Sequence, residues 1–90
     1  MTTELESLRE EINNLDKEML DILEERFEIC KEIAEIKKEQ GMPVEDKKRE
    51  DQIIQNKVNC TSLDSKFVKN LFALIFAESK SMQEKITNEC

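Results

Sequence analysis

Apolar residues in the first part of the chain recur at alternating steps of three and four positions. The series consists of Leu5, Leu8, Ile12, Leu15, Met19, Ile22, Ile29, Ile33 and Ile36. This spacing predicts a helix with a single apolar seam. The seam lacks one member, because position 26 is occupied by Arg26. A charge in an apolar seam is costly, so the pattern predicts either a side chain that reaches out to solvent or an anionic group that comes to it.

The seam belongs to a first helix that the sequence predicts over positions 4–40, approximately. Thr2 or Thr3 can cap its start, and Gly41, followed by Pro43, ends it. At 1.5 Å per residue this helix would be about 55 Å long, whereas a compact chain of this size is roughly 30 Å across. The helix would therefore project with its seam in water. A partner chain is the simplest cover, and we expect an obligate oligomer.

Two shorter helices are predicted beyond the break. The second opens after Asp46, which suits an N-cap, and the third follows a turn in which Ser62 or Asp64 can cap it. The sequence shows no internal repeat and no low-complexity tract. We therefore predict an all-α protein with a long, a short and a medium helix, forming a single domain over residues 1–90.

The composition supports a helical fold and narrows the function classes. Charged residues make up 39% of the 90 residues and hydrophobic residues 38%, with one Gly and one Pro. The sequence contains no uncharged apolar run long enough to predict a membrane span. The acidic N-terminus lacks the basic segment followed by an apolar segment that is typical of a secretion signal, so a cytoplasmic location is expected. The net charge of −7, without a basic run, argues against a nucleic-acid partner.

Cysteine and histidine usage argues against a metal centre. Cys30, Cys60 and Cys90 form no close pair along the sequence, and the chain has no histidine. This pattern fits neither a disulfide framework nor a zinc site. We expect ordinary free thiols and no metal.

One face of the first helix carries a polar stripe. Arg26 and Lys37 are eleven residues apart, which returns to within about 20° of the same direction. Cys30 and Ile33 lie between them on that face. Arg9 is about 25 Å from Arg26 along a straight helix, so one helix cannot bring both to one small ligand, whereas an antiparallel partner chain could. Taken alone, the two cations are equally well explained as surface charges among glutamates.

The third helix also carries polar residues on an apolar stripe. Its face consists of Phe72, Phe76, Ser79, Gln83 and Ile86. Spacing alone favours an exposed helix end as the explanation of Ser79 and Gln83. Arg49 and Glu50, in the stretch "DKKRED", equally fit a solvated charge run.

Taken in order, these polar residues match a known family. The stretches "LREEINNLDKEMLDILEER", "PVEDKKRE" and "ESKSMQ", with Lys37 one turn before the break, resemble the all-helical class (type II) of chorismate mutase over nearly the whole chain. The family's polar site positions correspond here to Arg9, Arg26, Lys37, Asp46, Arg49, Glu50, Ser79 and Gln83. The resemblance implies an intertwined homodimer with three helices per chain and two active sites, each receiving Arg9 from the partner subunit.

The resemblance also implies an isomerase activity and the roles of these residues. Chorismate would rearrange to prephenate, a step toward phenylalanine and tyrosine, without a nucleophile, proton transfer, metal or cofactor. Arg26 and Arg9 of the partner subunit would bind the substrate carboxylates, supported by Arg49 and Ser79. Bidentate guanidinium groups suit planar carboxylates.

The remaining site residues would act on the ether and hydroxyl oxygens of chorismate. By resemblance, Lys37 and Gln83 donate hydrogen bonds to the ether oxygen, where negative charge develops. Glu50 and the backbone near Asp46 would hold the ring hydroxyl. A Gln donor does not titrate, so we expect activity that changes little with pH near neutrality. The apolar wall is expected to comprise Cys30, Ile33, Ile53 and Phe76.

Three other interpretations of the sequence remain open. One is an isochorismate–pyruvate lyase of the same fold, and another is a non-catalytic helical dimerisation module. A plain antiparallel coiled coil is disfavoured by the helix-breaking "GMPVED" and by the third helix. Because 90 residues leave no room for a separate regulatory domain, we expect an unregulated, monofunctional enzyme.

Overall fold

The fold consists of three α-helices. A computed structural model describes residues 3–88, and side chains over residues 3–86. The helices are α1 (Glu4–Gln40), α2 (Lys47–Asn59) and α3 (Ser65–Asn88). Within the described residues there is no β-strand, so the prediction of an all-α protein with a long, a short and a medium helix is confirmed. In this part of the chain no helix is both long and apolar enough to cross a bilayer.

Both ends of α1 are capped by the residues that the sequence predicts. Thr3 accepts a hydrogen bond from the backbone N–H of Glu6, whose side chain accepts one in return, completing a capping box. Thr2, the other predicted cap, lies outside the described residues. At the other end Gly41 adopts a left-handed conformation with φ of 68°. The next N–H, from Met42, donates to the carbonyl of Lys37 at 2.8 Å, which closes the last turn beside a predicted site residue.

Aspartates cap the two shorter helices. Asp46 Oδ1 accepts the backbone N–H of Arg49 at 3.0 Å, as the sequence predicts for the start of α2. Asp64 Oδ2 accepts the backbone N–H of Phe67 at 3.0 Å, so Asp64 rather than Ser62 caps α3. The cap at Asp46 fixes where α2 begins, and α2 then packs against α3.

The helices pack around α3. Both α1 and α2 pack against it, and α1 does so through its C-terminal half, since every residue from 4 to 22 is exposed. The buried apolar residues of the described chain are Ala34, Val68, Ile75 and Phe76. This core is small, and the molecule is extended: its radius of gyration is 17.1 Å, against about 12 Å for a compact chain of this length.

The apolar seam of α1 is uncovered by its own chain. Leu5 is 56% exposed, Leu15 61% and Ile22 64%. The longest dimension of the molecule is 59 Å, as expected for a helix of this length. The prediction that the seam projects into water in a single chain is therefore confirmed. Cys30 and Cys60 are free thiols, as expected, while Cys90 lies outside the described residues.

Candidate active site

A cavity of about 420 Å³ lies between the C-terminal half of α1, the loop after it, the first half of α2 and α3. Its volume falls within the usual range for sites that bind small molecules. Seven of the eight predicted site residues line it, namely Arg26, Lys37, Asp46, Arg49, Glu50, Ser79 and Gln83. The sequence therefore identified residues that three helices and a loop bring to one place.

The four residues predicted for the apolar wall lie together in the structure. Cys30, Ile33, Ile53 and Phe76 all line the cavity. Two further apolar lining residues, Ile29 and Val44, were not predicted. Ile29 belongs to the seam of α1, so its place beside Arg26 could have been inferred from the spacing. Val44 lies in the loop, where no periodic pattern reports on orientation.

The guanidinium of Arg26 contacts a sulfur atom and an aromatic ring, and it forms no ion pair within the described chain. Its Nη1 donates to the Sγ of Cys30 at 3.8 Å, and its Cζ lies 5.8 Å from the centroid of the Phe76 ring. Phe72 packs against the same ring, with the centroids 5.8 Å apart. Among the described residues no carboxylate lies within ion-pair distance of the guanidinium. Arg26 is thus half-buried beside a cavity, and it differs from the glutamate-paired surface charge that the sequence also allowed.

Lys37 is anchored to the loop that closes one side of the cavity. Its Nζ donates to the backbone carbonyl of Val44 at 3.0 Å. An ammonium group has three donors, so two remain for a ligand. Because the carbonyl fixes the end of a flexible side chain, less conformational entropy is lost when a ligand binds there.

Ser79 and Gln83 form a buried pair on α3. Their exposed fractions are only 6% and 7%, so the exposed helix end that spacing alone favoured is wrong. The Nε2 of Gln83 donates to the Oγ of Ser79 at 2.9 Å, while the buried Oε1 has no protein partner in the described chain. One amide N–H and the Ser79 hydroxyl proton are therefore left to donate to a ligand.

The first turn of α2 contributes charged groups of both signs. Arg49 gives its backbone N–H to the Asp46 cap. Its guanidinium has no carboxylate within ion-pair distance in the described chain. Glu50 is half-buried, and its Oε2 lies 3.0 Å from the Nζ of Lys80. One side of this charged stretch, which includes Glu50, therefore faces the cavity.

Lys80 is a lining residue that the sequence analysis missed. Its Nζ bonds both Glu50 Oε2 at 3.0 Å and Glu45 Oε1 at 3.1 Å. The hydrogen bond with Glu50 is the main cause of the raised pKa of Lys80, and the bond with Lys80 lowers the pKa of Glu45. The spacing of Phe76, Lys80 and Gln83, at i, i+4 and i+7, could have identified this lysine.

Arg9 does not reach the cavity of its own chain. It lies on the exposed N-terminal half of α1, seventeen residues before Arg26 on one continuous helix. A straight helix separates the two by about 25 Å. Its predicted role in a partner's site stays a prediction.

The charges that line the cavity favour an anionic ligand. Four lining side chains are cationic (Arg26, Lys37, Arg49 and Lys80) and two are anionic (Asp46 and Glu50). The resulting excess of two positive charges stands against a formal charge of −7 for the whole chain. A local field of this sign, in a partly enclosed space with an apolar wall, suits a small dianion with a hydrophobic body.

Known proteins of one family resemble this chain in sequence and fold. The family model for chorismate mutase type II matches residues 8–84. Form II of the chorismate mutase from Thermus thermophilus is similar in structure, with a TM-score of 0.86, 27% identity, and coverage of 91% of this chain and 96% of that chain. Form I from the same organism gives a TM-score of 0.80, 29% identity, and coverage of 86% of this chain and 99% of that chain. Comparison with curated protein sequences gives no significant match.

The matches extend over nearly the whole chain and include every lining residue of the cavity. The family and the fold that the polar residues indicated are thereby confirmed. The chain belongs to the type II chorismate mutase family, whose members are isomerases.

Proposed function

We propose that this chain converts chorismate to prephenate in the biosynthesis of phenylalanine and tyrosine. In this concerted rearrangement the ether C–O bond breaks while a C–C bond forms within the same molecule, so no atom is gained or lost. The observation that carries the proposal is the meeting of three cationic side chains, Arg26, Lys37 and Arg49, in one cavity without carboxylate partners in the described chain. Cations left unpaired in this way suit a dianionic substrate.

The carboxylates of chorismate would be bound at the cationic groups. Arg26 presents a guanidinium that its contacts with Cys30 and Phe76 already orient. Arg49 on α2 and the Ser79 hydroxyl on α3 would bind the same carboxylates. Holding both carboxylates fixes the extended substrate in the folded form that the reaction needs, which is an orientation effect.

The charge separation of the transition state would be stabilised by Lys37 and Gln83. Negative charge develops on the ether oxygen as its bond breaks, and a preorganised donor stabilises that charge more than it stabilises the ground state. Lys37 is already fixed by the Val44 carbonyl, and Gln83 by the Ser79 hydroxyl. Neither donor would need to reorganise during the reaction.

The ring hydroxyl would be recognised at the start of α2. Glu50 has one carboxylate oxygen bound to Lys80 and offers the other to a hydroxyl donor. The backbone near Asp46 would complete this contact. The apolar wall, including Ile33 and Ile53, would pack against the ring and exclude water.

The active unit would be a homodimer in which Arg9 enters the partner's cavity. The exposed seam of α1 supports this proposal, because residues such as Leu15 and Met19 lie uncovered along the N-terminal half of the helix. An antiparallel pairing of two α1 helices would bury the seam and bring Arg9 of the partner subunit near positions 26–37. A further cationic group for the substrate would then come from the partner.

The first test measures the loss of chorismate absorbance after purified protein is added, for wild type and for the variant Arg26→Ala. Lys31→Ala serves as the matched control, since Lys31 lies on the same helix and pairs with Glu28 away from the cavity. We expect conversion to prephenate by wild type and by the control, and a loss of about 10²-fold or more in kcat/KM for Arg26→Ala. Wild type that is inert toward chorismate but releases pyruvate from isochorismate would instead identify a lyase. Inertness toward both would identify a non-catalytic module.

A further inference from the structure

Lys80 joins three parts of the molecule at the edge of the cavity. Its Nζ lies 3.0 Å from Glu50 Oε2 on α2 and 3.1 Å from Glu45 Oε1 in the loop before α2. The side chains of Lys80 and Glu50 are 27% and 19% exposed, whereas that of Glu45 is 51% exposed. The bond to Glu50 is therefore the less screened of the two.

The second carboxylate oxygen of Glu50 is left unbound. In the described chain Lys80 is the one cation within ion-pair distance of Glu50, and Oε1 has no hydrogen-bond partner there. A glutamate side chain has three rotatable bonds, and without an anchor its carboxylate can take several orientations. Lys80 removes that freedom by holding Oε2 while Oε1 keeps its capacity to accept.

We propose that Lys80 is a positioning residue, which fixes the Glu50 carboxylate so that its free oxygen accepts the hydrogen bond of the ring hydroxyl. The inference rests on the proposed function, in which Glu50 recognises that hydroxyl. Lys80 acts through Glu50 and needs no contact with the reacting atoms. It thus determines specificity for a substrate that carries the hydroxyl at this position.

The outer half of the bridge provides a matched control. Glu45 bonds the same Nζ but lies outside the cavity lining. Glu45→Gln removes one partner of Lys80 and leaves the bond to Glu50 in place. If the bridge serves only to fasten the loop to α3, Glu45→Gln and Lys80→Met should have similar effects. If Lys80 positions Glu50, only Lys80→Met should change recognition of the substrate.

The experiment measures chorismate kinetics for Lys80→Met, Lys80→Arg, Glu45→Gln, Glu50→Gln and the double variant Lys80→Met/Glu50→Gln. We expect Lys80→Met to raise KM about tenfold with a smaller change in kcat, and Lys80→Arg and Glu45→Gln to stay within about threefold of wild type. In the Glu50→Gln background, Lys80→Met should have at least about fivefold less effect. Thermal unfolding followed by circular dichroism checks that each variant is folded.

A second readout separates positioning from simple attraction of an anion. The deoxy analogue of chorismate lacks the ring hydroxyl but keeps the enol ether, so it serves as a competing substrate, and its inhibition constant is measured against the conversion of chorismate. We expect its inhibition constant to change less than about threefold in Lys80→Met, because it makes no bond to Glu50. Equal losses for chorismate and for the analogue, or additive effects of Lys80→Met and Glu50→Gln, would overturn the inference while leaving the mutase proposal intact. Wild type that converts no chorismate would overturn both.

Discussion

The amide of Gln83 donates from Nε2 to the Oγ of Ser79 at 2.9 Å, and both side chains are buried. The two residues are one helical turn apart on α3, so the bond is local and α3 alone defines its geometry. The bond determines which end of the amide meets the Ser79 hydroxyl, and hence where the second N–H can point. The donor proposed for the ether oxygen is therefore oriented by a neighbour that is itself proposed to bind a carboxylate.

Ser79→Ala should reduce both stability and activity. The variant leaves a buried amide N–H of Gln83 without its partner, which costs about 1–3 kcal/mol of unfolding free energy. The amide is also freed to turn, so we expect kcat to fall about tenfold. Denaturant unfolding and steady-state kinetics measure the two effects. Ser81→Ala, an exposed position on the same helix, is the control and should change neither. A Ser79→Ala variant with wild-type kcat would show that Gln83 needs no orienting partner.

Gln83→Glu should make the activity depend on pH. An amide donates at every pH, whereas a glutamate side chain donates only when it is protonated, with an ordinary pKa of about 4.3. We expect wild-type kcat/KM to vary little between pH 5 and pH 8, on the order of twofold, and that of Gln83→Glu to rise steeply as the pH falls. Parallel pH–rate profiles of the two proteins are the measurement. Flat profiles for both would remove Gln83 from the proposed stabilisation of the ether oxygen.

Mixed dimers test the contribution of Arg9 in trans. Arg9→Ala and Arg26→Ala should each be nearly inactive alone. When the two chains are refolded together, a mixed dimer has one site with both arginines and one with neither. Random assembly should therefore restore about a quarter of the wild-type sites. If Arg9 acted within its own chain, both sites of every mixed dimer would lack one arginine, and mixing would restore nothing.

The mixing experiment depends on the protein being a dimer, so its control is a measurement of the oligomeric state. Analytical ultracentrifugation of wild type should give a dimer, because the apolar seam of α1 is uncovered in a single chain. A variant with a charge in the seam, Leu15→Glu, should dissociate and lose activity together. A monomeric wild type with full activity would contradict the proposed assembly.

Much of the fold could be predicted because its signals are local. The caps at Thr3, Asp46 and Asp64 and the break at Gly41 depend on residues within one turn of each helix end, and all of them occur in the structure. The exposure of the apolar seam was predicted because α1 is longer than a compact chain of this size is wide. These features needed no knowledge of how the helices pack.

The candidate site was less accessible to the same reasoning because burial is a tertiary property. Spacing placed Ser79 and Gln83 on one face but favoured an exposed helix end, and their burial follows from the packing of other elements against α3. Spacing also places Lys80 on this face, but its ion pairs could not be predicted in this way, since its two carboxylate partners lie at least 30 positions earlier in the chain. The family resemblance supplied the site residues that periodicity could not.

Glu45→Gln should change stability in a pH-dependent way. The hydrogen bond from Lys80 holds the pKa of Glu45 below its ordinary value of 4.5. Its stabilising effect is therefore fully present above that value and is lost as the pH falls through the lower, folded-state pKa. The raised pKa of Lys80 has the opposite sense, so its contribution is lost only as the pH rises beyond 10.5 and stays constant over the acid range.

We expect wild type to have a higher Tm than Glu45→Gln at pH 7 and the difference to shrink as the pH falls below 4.5 through the lower, folded-state pKa of Glu45, because a protonated carboxyl resembles the amide. Glu32→Gln, at an exposed position of α1 without an ion pair in the described chain, is the control for the loss of one surface carboxylate. Thermal scans of the three proteins at several pH values make the comparison. A Glu45→Gln difference that persists unchanged at low pH would mean that the loop is held by packing and not by the Lys80 bridge.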